Sequence, residues 1–327
     1  MERVVIGRRL RPMADTPSLL VIAGPTGVGK TAAAVALGAR LPIEVISADS
    51  RQIYRGMDVA TGKPTAHERA AVIHHLVDVV DPDDTYDAAR FAREAQAAIA
   101  SIRARGRLPV AVGGTGFYIR ALLRGLDPAV PADPAFRAEL TEIAAREGRP
   151  ALHARLAAKA PAVAGRLHPN DHVRVIRALE LVRAGSPVGD ARTRWRDGAV
   201  EQGTVYVGLT LERRRLDERL RQRATEMVAA GLEDEVRSLL ARGYSPTLPA
   251  MQGIGYREFA RVVAGVLAAD EAVRLMQRDT LRYARRQWTW FAREPALQWI
   301  DVEAVDGGPA GIAAMIEARL KQEGRIG

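Results

Sequence analysis

The chain has 327 residues, 47% hydrophobic and 27% charged, with a formal net charge of +9 and a pI near 10.3. That length buries a sizeable core as one large domain or two modest ones, and the balance is ordinary for a folded soluble protein. The absence of cysteine excludes disulfides, thiolate zinc sites and cysteine nucleophiles and suits a reducing cytoplasm, and no apolar run reaches the roughly 18 residues that cross a bilayer.

The positive charge points to an anionic partner, with a qualification. Of 48 basic residues only four are lysine, namely Lys30, Lys63, Lys159 and Lys321. Arginine and alanine bias also arises from a GC-rich genome, so placement rather than total charge has to identify the partner.

Taken in chain order, residues 1–17 are basic but lack the apolar centre of a secretory signal. Residues 18–23 (SLLVIA) are a short apolar run ending at a glycine, which predicts a buried strand. Residues 31–40 predict a helix stopped by Pro42, and 43–48 (IEVISA) a second strand. Residues 88–105 predict a long helix closed by Gly106, and 108–112 (LPVAV) a third strand broken by Gly113 and Gly114. From 133 to 184 the pattern is helical throughout: Asp133-Pro134 caps one helix, Pro161 interrupts, and Asn170-Asp171 starts another that ends at Gly185. A strand returns at 205–209 (VYVGL), followed by helices to the end. Strands alternating with helices predict an α/β fold with a parallel sheet. The organisation expected is a basic extension (1–17), a first part of the core (18–128), an all-helical insertion (129–200) and a second part of the core with C-terminal helices (201–327).

Gly24, Pro25, Thr26, Gly27, Val28, Gly29, Lys30 and Thr31 spell G-x-x-x-x-G-K-T between the first strand and the first helix. Glycines let successive backbone N–H groups turn towards one anion, and the helix adds its positive end. Lys30 meets the terminal phosphate charge and the Thr31 hydroxyl suits Mg²⁺. The motif specifies a diphosphate or triphosphate, not ATP.

In open parallel sheets, ligands bind beyond the carboxyl ends of the strands. After the first strand comes the glycine-rich loop, after the second Asp49, Ser50, Arg51 and Gln52, and after the third Gly114, Thr115 and Gly116; Arg213 follows the strand at 205–209. Asp49 is a carboxylate expected beside a bound polyanion, an unfavourable place for an idle negative charge. It reads as a general base or hydrogen-bond acceptor, or alternatively as a helix cap or a partner of magnesium-bound water. A kinase or hydrolysing NTPase would show an apolar strand ending in aspartate to organise magnesium. Here LPVAV ends in glycine and threonine, although the segment from Leu76 to Asp81 imitates that pattern.

The segments GPTGVGKT, ISADSRQIYRGMDVATGKPT, HHLVDVVDPDDTYDAARF, VAVGGTGFYIRALLRGL, HPNDHVRVIRALE and MQGIGYREF occur in an order that resembles the bacterial tRNA dimethylallyltransferase (tRNA isopentenyltransferase) family, over nearly all of residues 19–290. The resemblance implies a P-loop NTPase-like core with a helical insertion. It implies transfer of a dimethylallyl group from dimethylallyl diphosphate to N6 of adenosine 37 in tRNA, with release of diphosphate and with Mg²⁺ as cofactor. It further implies a cytoplasmic enzyme, expected to be a monomer without membrane attachment, that takes the anticodon stem-loop.

Residue by residue, the resemblance puts the donor diphosphate on the loop from Gly24 to Thr31, with magnesium at Thr31. Asp49 accepts the adenine amino proton, with Ser50, Arg51, Gln52 and Thr115 around the adenine and diphosphate; Arg213 matches an arginine associated with the diphosphate. Transfer RNA contacts fall on Arg137, on Val173, Arg174, Val175, Ile176 and Arg177, and on Gln252, Gly253, Ile254, Gly255, Tyr256 and Arg257. The sequence departs from the family at Ala60-Thr61-Gly62, where the family usually runs glycine-threonine-alanine. An isopentenyltransferase acting on free adenine nucleotides and a P-loop small-molecule kinase are the alternatives.

Other features carry less. Arg215, Arg219 and Arg223 form an i, i+4 row, expected to pair in part with Glu212 or Glu226 and otherwise to meet phosphate. The segment from Tyr283 to Phe291 mixes cations with aromatics as single-strand binders do, but aromatics at helical spacing are expected to be core anchors. His168 and His172 have chelate spacing without a further ligand, which favours a helix-start role over metal.

Overall fold

The computed structural model describes residues 19–126, 130, 133–186, 203–324 and 326; the basic segment 1–17 lies outside them. Two compact units result, Met1–Gly125 with Val200–Gly327, and Leu126–Ala199.

In the first unit, β1 (Leu19–Ala23) leads into α1 (Lys30–Gly38), followed by β2 (Ile43–Ser47), α2 (Ala66–Ala71), a two-residue β3 (His74–His75), α3 (Ala88–Ala104), β4 (Leu108–Gly113) and α4 (Gly116–Arg124). The helical unit holds α5 (Pro134–Glu147), α6 (Arg149–Lys159), α7 (Pro161–Ala164) and α8 (His172–Arg183). The chain then returns to the first unit as β5 (Thr204–Thr210), α9 (Arg213–Ala229), α10 (Leu232–Ala241), α11 (Tyr256–Val263), α12 (Ala269–Phe291), β6 (Gln298–Asp301) and α13 (Gly308–Gln322).

The six strands form one parallel sheet in the order β3-β2-β4-β1-β5-β6. β1, β2 and β4 are buried along their whole length, which is why they read as unbroken apolar runs rather than alternating ones. The register aligns their carboxyl ends: Ala23 lies across from Gly113 and Gly208, and Ser47 across from Val112. Loops that leave β2, β4, β1 and β5 therefore start side by side. One apolar core on the sheet is built from Leu20, Ile22, Val110, Val207, Leu37 and Ile316, among others. A second, under α9 to α12, gathers Ile53, Met57, Val236, Tyr256, Phe259 and Met276.

The unexpected edge strand β3 is stabilised from within the sheet. Glu44 on β2 has a fully buried side chain, accepting from Arg105 Nε and Nη2 at 2.9 and 2.6 Å and meeting His75 Nε2 at 2.6 Å. The Arg105 hydrogen bonds hold the Glu44 carboxyl down to about 2, against the penalty of burial.

The helical unit has its own core of Leu140, Ile143, Leu152, Leu156, Val175 and Leu179. Asp133 caps α5 by accepting from Phe136 N, and Asp171 caps α8 by accepting from Arg174 N, so the two starts expected from Asp-Pro and Asn-Asp are built by side-chain capping.

Candidate active site

The loop between β1 and α1 places Gly29 at φ 98°, a left-handed conformation natural only to glycine, at the start of the helix. A Cβ built there would meet nothing within 4 Å, so the first turn of α1 opens onto free space. Lys30 folds back over this loop, its Nζ donating to Pro25 O at 2.7 Å. Burial lowers the Lys30 pKa to about 8; Asp49 opposes that shift and Arg223 adds to it. Lys30, Asp49 and Arg223 are thus close enough to sense one another, although they come from α1, the loop after β2 and α9.

Asp49 stands at the head of that second loop. Its Oδ1 accepts from Arg51 N at 2.8 Å, a local turn that fixes the carboxylate. Ser50 N donates to Thr115 Oγ1 at 3.1 Å, and Thr115 N donates to Ala48 O at 3.2 Å. The loops after β2 and β4 are thereby tied at two points, as adjacent strand ends allow. Tyr283 of α12 closes the cluster. Burial and then the Asp49 carboxylate push its phenol up to about 12, while a hydrogen bond with Thr115 works the other way. The result is a cationic loop mouth and a carboxylate in one place, which suits displacement of an anionic leaving group by a nucleophile that must shed a proton.

Among the described residues no group of three or more His, Cys, Asp or Glu side chains is arranged to hold a metal ion. The loop itself offers the Thr31 hydroxyl. That sparse contribution fits magnesium, which keeps several waters and takes further ligands from substrate phosphates. His168 Nδ1 accepts from Asn170 N at 3.1 Å, a local contact at the approach to α8.

The family model described as IPP transferase matches residues 52–294, and one described as isopentenyl transferase matches residues 17–75. The chain belongs to the IPP transferase family. It is 46% identical over 287 residues to a tRNA dimethylallyltransferase of Geobacter sulfurreducens, covering 88% of this chain and 92% of that one. The tRNA isopentenylpyrophosphate transferase of Bacillus halodurans superposes with a TM-score of 0.69 at 39% identity, covering 94% and 98% of the two chains. A eukaryotic dimethylallyltransferase acting on tRNA superposes with a TM-score of 0.77 at 25% identity, covering 94% and 80%. The P-loop NTPase-like α/β core expected from the sequence is the fold of this IPP transferase family member.

The remaining expected residues are distributed unevenly. Gln52 lies inside the loop network, accepting from Ser47 Oγ at 2.8 Å and donating to Gly62 O at 3.1 Å. Arg51 donates to Pro249 O at 2.8 Å, which draws the segment from Gln252 to Arg257 towards the Asp49 loop. Within that segment, however, Tyr256 is buried and donates to Glu235 at 2.6 Å, and Gly255 N donates to Glu258. Arg257 is held by Glu258 and Asp279, whereas Gln252 is exposed and donates to Pro246 O; Ile254 packs on the second core and Gly253 is buried. In the helical unit, Val175 is buried and Ile176 half-buried, Val173 and Arg174 are exposed, and Arg137 and Arg177 both bind the buried carboxylate of Glu180.

Arg213, matched to the diphosphate by resemblance, is exposed at the first turn of α9 beside Glu212, Arg214 and Asp217. Arg223, nearly three turns further along α9, is the one whose charge influences Lys30 and Asp49, and its guanidinium packs over Gly62. Burial lowers its pKa and Asp49 raises it. The i, i+4 arginine row signalled that one face of α9 is basic, but not which of its members turns inward. Gln287, in α12, is 5% exposed and hydrogen-bonded to both the glycine-rich loop and Gly114; nothing in the sequence marked it. On the same helix Phe291 is a core anchor, as expected of aromatics there, but Trp288 is 52% exposed and Trp290 lies under Arg120 at 4.2 Å.

Proposed function

We propose that this chain transfers a dimethylallyl group from dimethylallyl diphosphate to N6 of adenosine 37 in tRNA, releasing diphosphate. The observation that carries the reading is that the loops after β1, β2 and β4 start side by side, which puts Lys30 at the start of α1 next to the Asp49 loop that Thr115 holds. Arg223 adds a further positive charge that Lys30 and Asp49 sense. Cations and backbone N–H groups serve a leaving diphosphate; a carboxylate in the same place serves an amine losing a proton. The relatives that share this fold over most of their length are themselves named for action on tRNA.

An exocyclic adenine nitrogen is a weak nucleophile because its lone pair is delocalised into the ring. In the reaction, N6 forms a bond to C1 of the allyl group as the C1–O bond breaks. The electron pair of that bond leaves with the diphosphate, and the N6 proton passes to the Asp49 carboxylate. Lys30, Arg223 and the amides at the start of α1 stabilise the leaving charge. The Thr31 hydroxyl would hold a magnesium ion, which would supply further positive charge to neutralise the diphosphate. Thr115 and Ser50 hold the Asp49 loop against the β4 loop, and Tyr283 of α12 hydrogen-bonds with Thr115 beside it. The acceptor is presented by the anticodon stem-loop, and we assign the enzyme to the cytoplasm, the compartment of that RNA.

Incubation with labelled dimethylallyl diphosphate and either unmodified tRNA or AMP tests the reading. Label on tRNA is expected. Label on AMP alone, or phosphate transfer from ATP in place of prenyl transfer, would replace it with a free-nucleotide isopentenyltransferase or a kinase.

A further inference from the structure

Gln287 reaches the site from α12, far away in sequence, and bridges two loops rather than binding Lys30 or Asp49. Its Oε1 accepts from Thr26 N at 2.9 Å, and its Nε2 donates to Gly114 O at 2.9 Å. The side chain is 5% exposed, so water does not compete for either bond. Both partners fix the same orientation of the carboxamide, because an N–H must face the oxygen and a carbonyl must face the nitrogen. Thr26 belongs to the loop proposed to carry the donor, and Gly114 immediately precedes Thr115, which holds the loop of Asp49.

Space at the contact is as restricted as the chemistry. A Cβ added to Gly114 would land on Nε2 of Gln287. Glycine is therefore required at 114 for the amide to sit where it does. The residue's backbone is otherwise ordinary, with no positive φ to demand glycine.

We propose that Gln287 is a positioning residue that sets the spacing between the donor loop and the acceptor-side loop. By taking the Thr26 amide it also leaves the phosphate cradle to the amides from Gly27 onward. The proposal rests on the prenyl-transfer reading above. Reacting atoms must be held within a few tenths of an ångström of a productive approach, and a misplacement of about 1 Å costs on the order of a hundredfold in rate. Only a carboxamide both accepts from Thr26 and donates to Gly114. Glutamate would keep the first bond, lose the second, and add negative charge beside the donor diphosphate.

The test is steady-state prenyl transfer from labelled dimethylallyl diphosphate to unmodified tRNA by the full chain, with Gln287→Met, Gln287→Glu, Gly114→Ala and the double variant Gly114→Ala/Gln287→Met. Expected for Gln287→Met is a kcat about ten- to a hundredfold below the parent, with KM for tRNA within about twofold. Gln287→Glu should add a rise in donor KM. Gly114→Ala attacks the same contact from the other side and should resemble Gln287→Met. The double variant should then be within about threefold of the worse single one, whereas independent effects would multiply. Parental kcat in Gln287→Met, or multiplying losses in the double variant, would overturn the proposal. If Gln287→Met does not fold, parental kcat in Gly114→Ala alone overturns it. Failure of the parent chain to label tRNA would instead strike the functional reading, so the two failures are separable.

Discussion

The Ser50 amide donates to the Thr115 hydroxyl at 3.1 Å, which locks the position of Asp49 to the end of β4 rather than leaving it on a free loop. Asp49 itself spends one carboxylate oxygen, Oδ1, on the Arg51 amide, and in the proposed reaction the other takes the proton. We therefore expect Asp49→Asn to keep its turn and its donor affinity within about threefold while losing about 10²- to 10⁴-fold in single-turnover transfer, the usual range for general-base loss. Donor binding by calorimetry with a non-reactive thiolo-diphosphate analogue supplies the first half of the check. Transfer at the parental rate would remove the carboxylate from the chemistry.

Arg223 and Arg213 are separated by position on one helix, and their environments differ accordingly. Arg223 is packed over Gly62 within electrostatic reach of Lys30 and Asp49, whereas Arg213 is exposed at the helix start. Arg223→Ala should raise donor KM or lower kcat at least tenfold, since the charge-assisted contact proposed for the diphosphate is lost. Arg213→Ala should stay within about twofold of the parent. The opposite ranking in donor kinetics would return the diphosphate contact to the first turn of α9.

Lys30 supplies a pH dependence whose sign is fixed by its depressed pKa. Below about 8 the ammonium is charged in the free enzyme; above it the amine is neutral. A bound diphosphate favours the charged form, so binding takes up a proton at alkaline pH and weakens as pH rises through 8, with a limiting slope of about tenfold per pH unit. Donor dissociation constants measured from pH 7 to 9.5 should rise in that sense, and Lys30→Arg should flatten the profile because guanidinium stays charged. A parental constant that changes less than twofold across this range would mean that Lys30 does not pair with the donor.

The contrast between legible and hidden residues has a physical basis. β1, β2, β4 and β5 announce themselves because buried parallel strands are apolar throughout and end at glycine or polar loops. β3 and β6 do not: His74–His75 is only two residues long, and Gln298–Asp301 is largely exposed at the sheet edge, so neither forms an apolar run. Proximity of the glycine-rich loop, Asp49 and Thr115 follows from strand-end geometry alone once the strands are neighbours. Arg223, Tyr283 and Gln287 arrive from α9 and α12, and which residue of a basic or mixed helix turns inward depends on tertiary packing that periodicity cannot rank. Likewise the sequence of the block that holds Tyr256 and Arg257 does not reveal that Tyr256 is buried and Arg257 ion-paired with Asp279.

The helical unit poses the last question, because its arginines have two possible duties. Glu180 is buried and receives Arg137 Nε and Nη2 at 2.7 and 3.0 Å and Arg177 Nη1 at 3.1 Å, so these guanidiniums are oriented by a carboxylate while their outer edges remain partly exposed. Arg174 is freer, 63% exposed and paired with Asp171 at 3.2 Å. If both classes also touch RNA phosphate, Arg137→Ala and Arg174→Ala should each weaken tRNA binding uniformly across tRNA sequences and reduce the salt slope by about 1, with donor KM unchanged. Arg137→Ala should in addition lower the melting temperature, since it strips a partner from a buried carboxylate, whereas Arg174→Ala should not. Titration of tRNA binding against salt, alongside thermal unfolding of both variants, separates the duties. An unchanged salt slope with a lowered melting point for Arg137→Ala would assign that arginine to Glu180 alone.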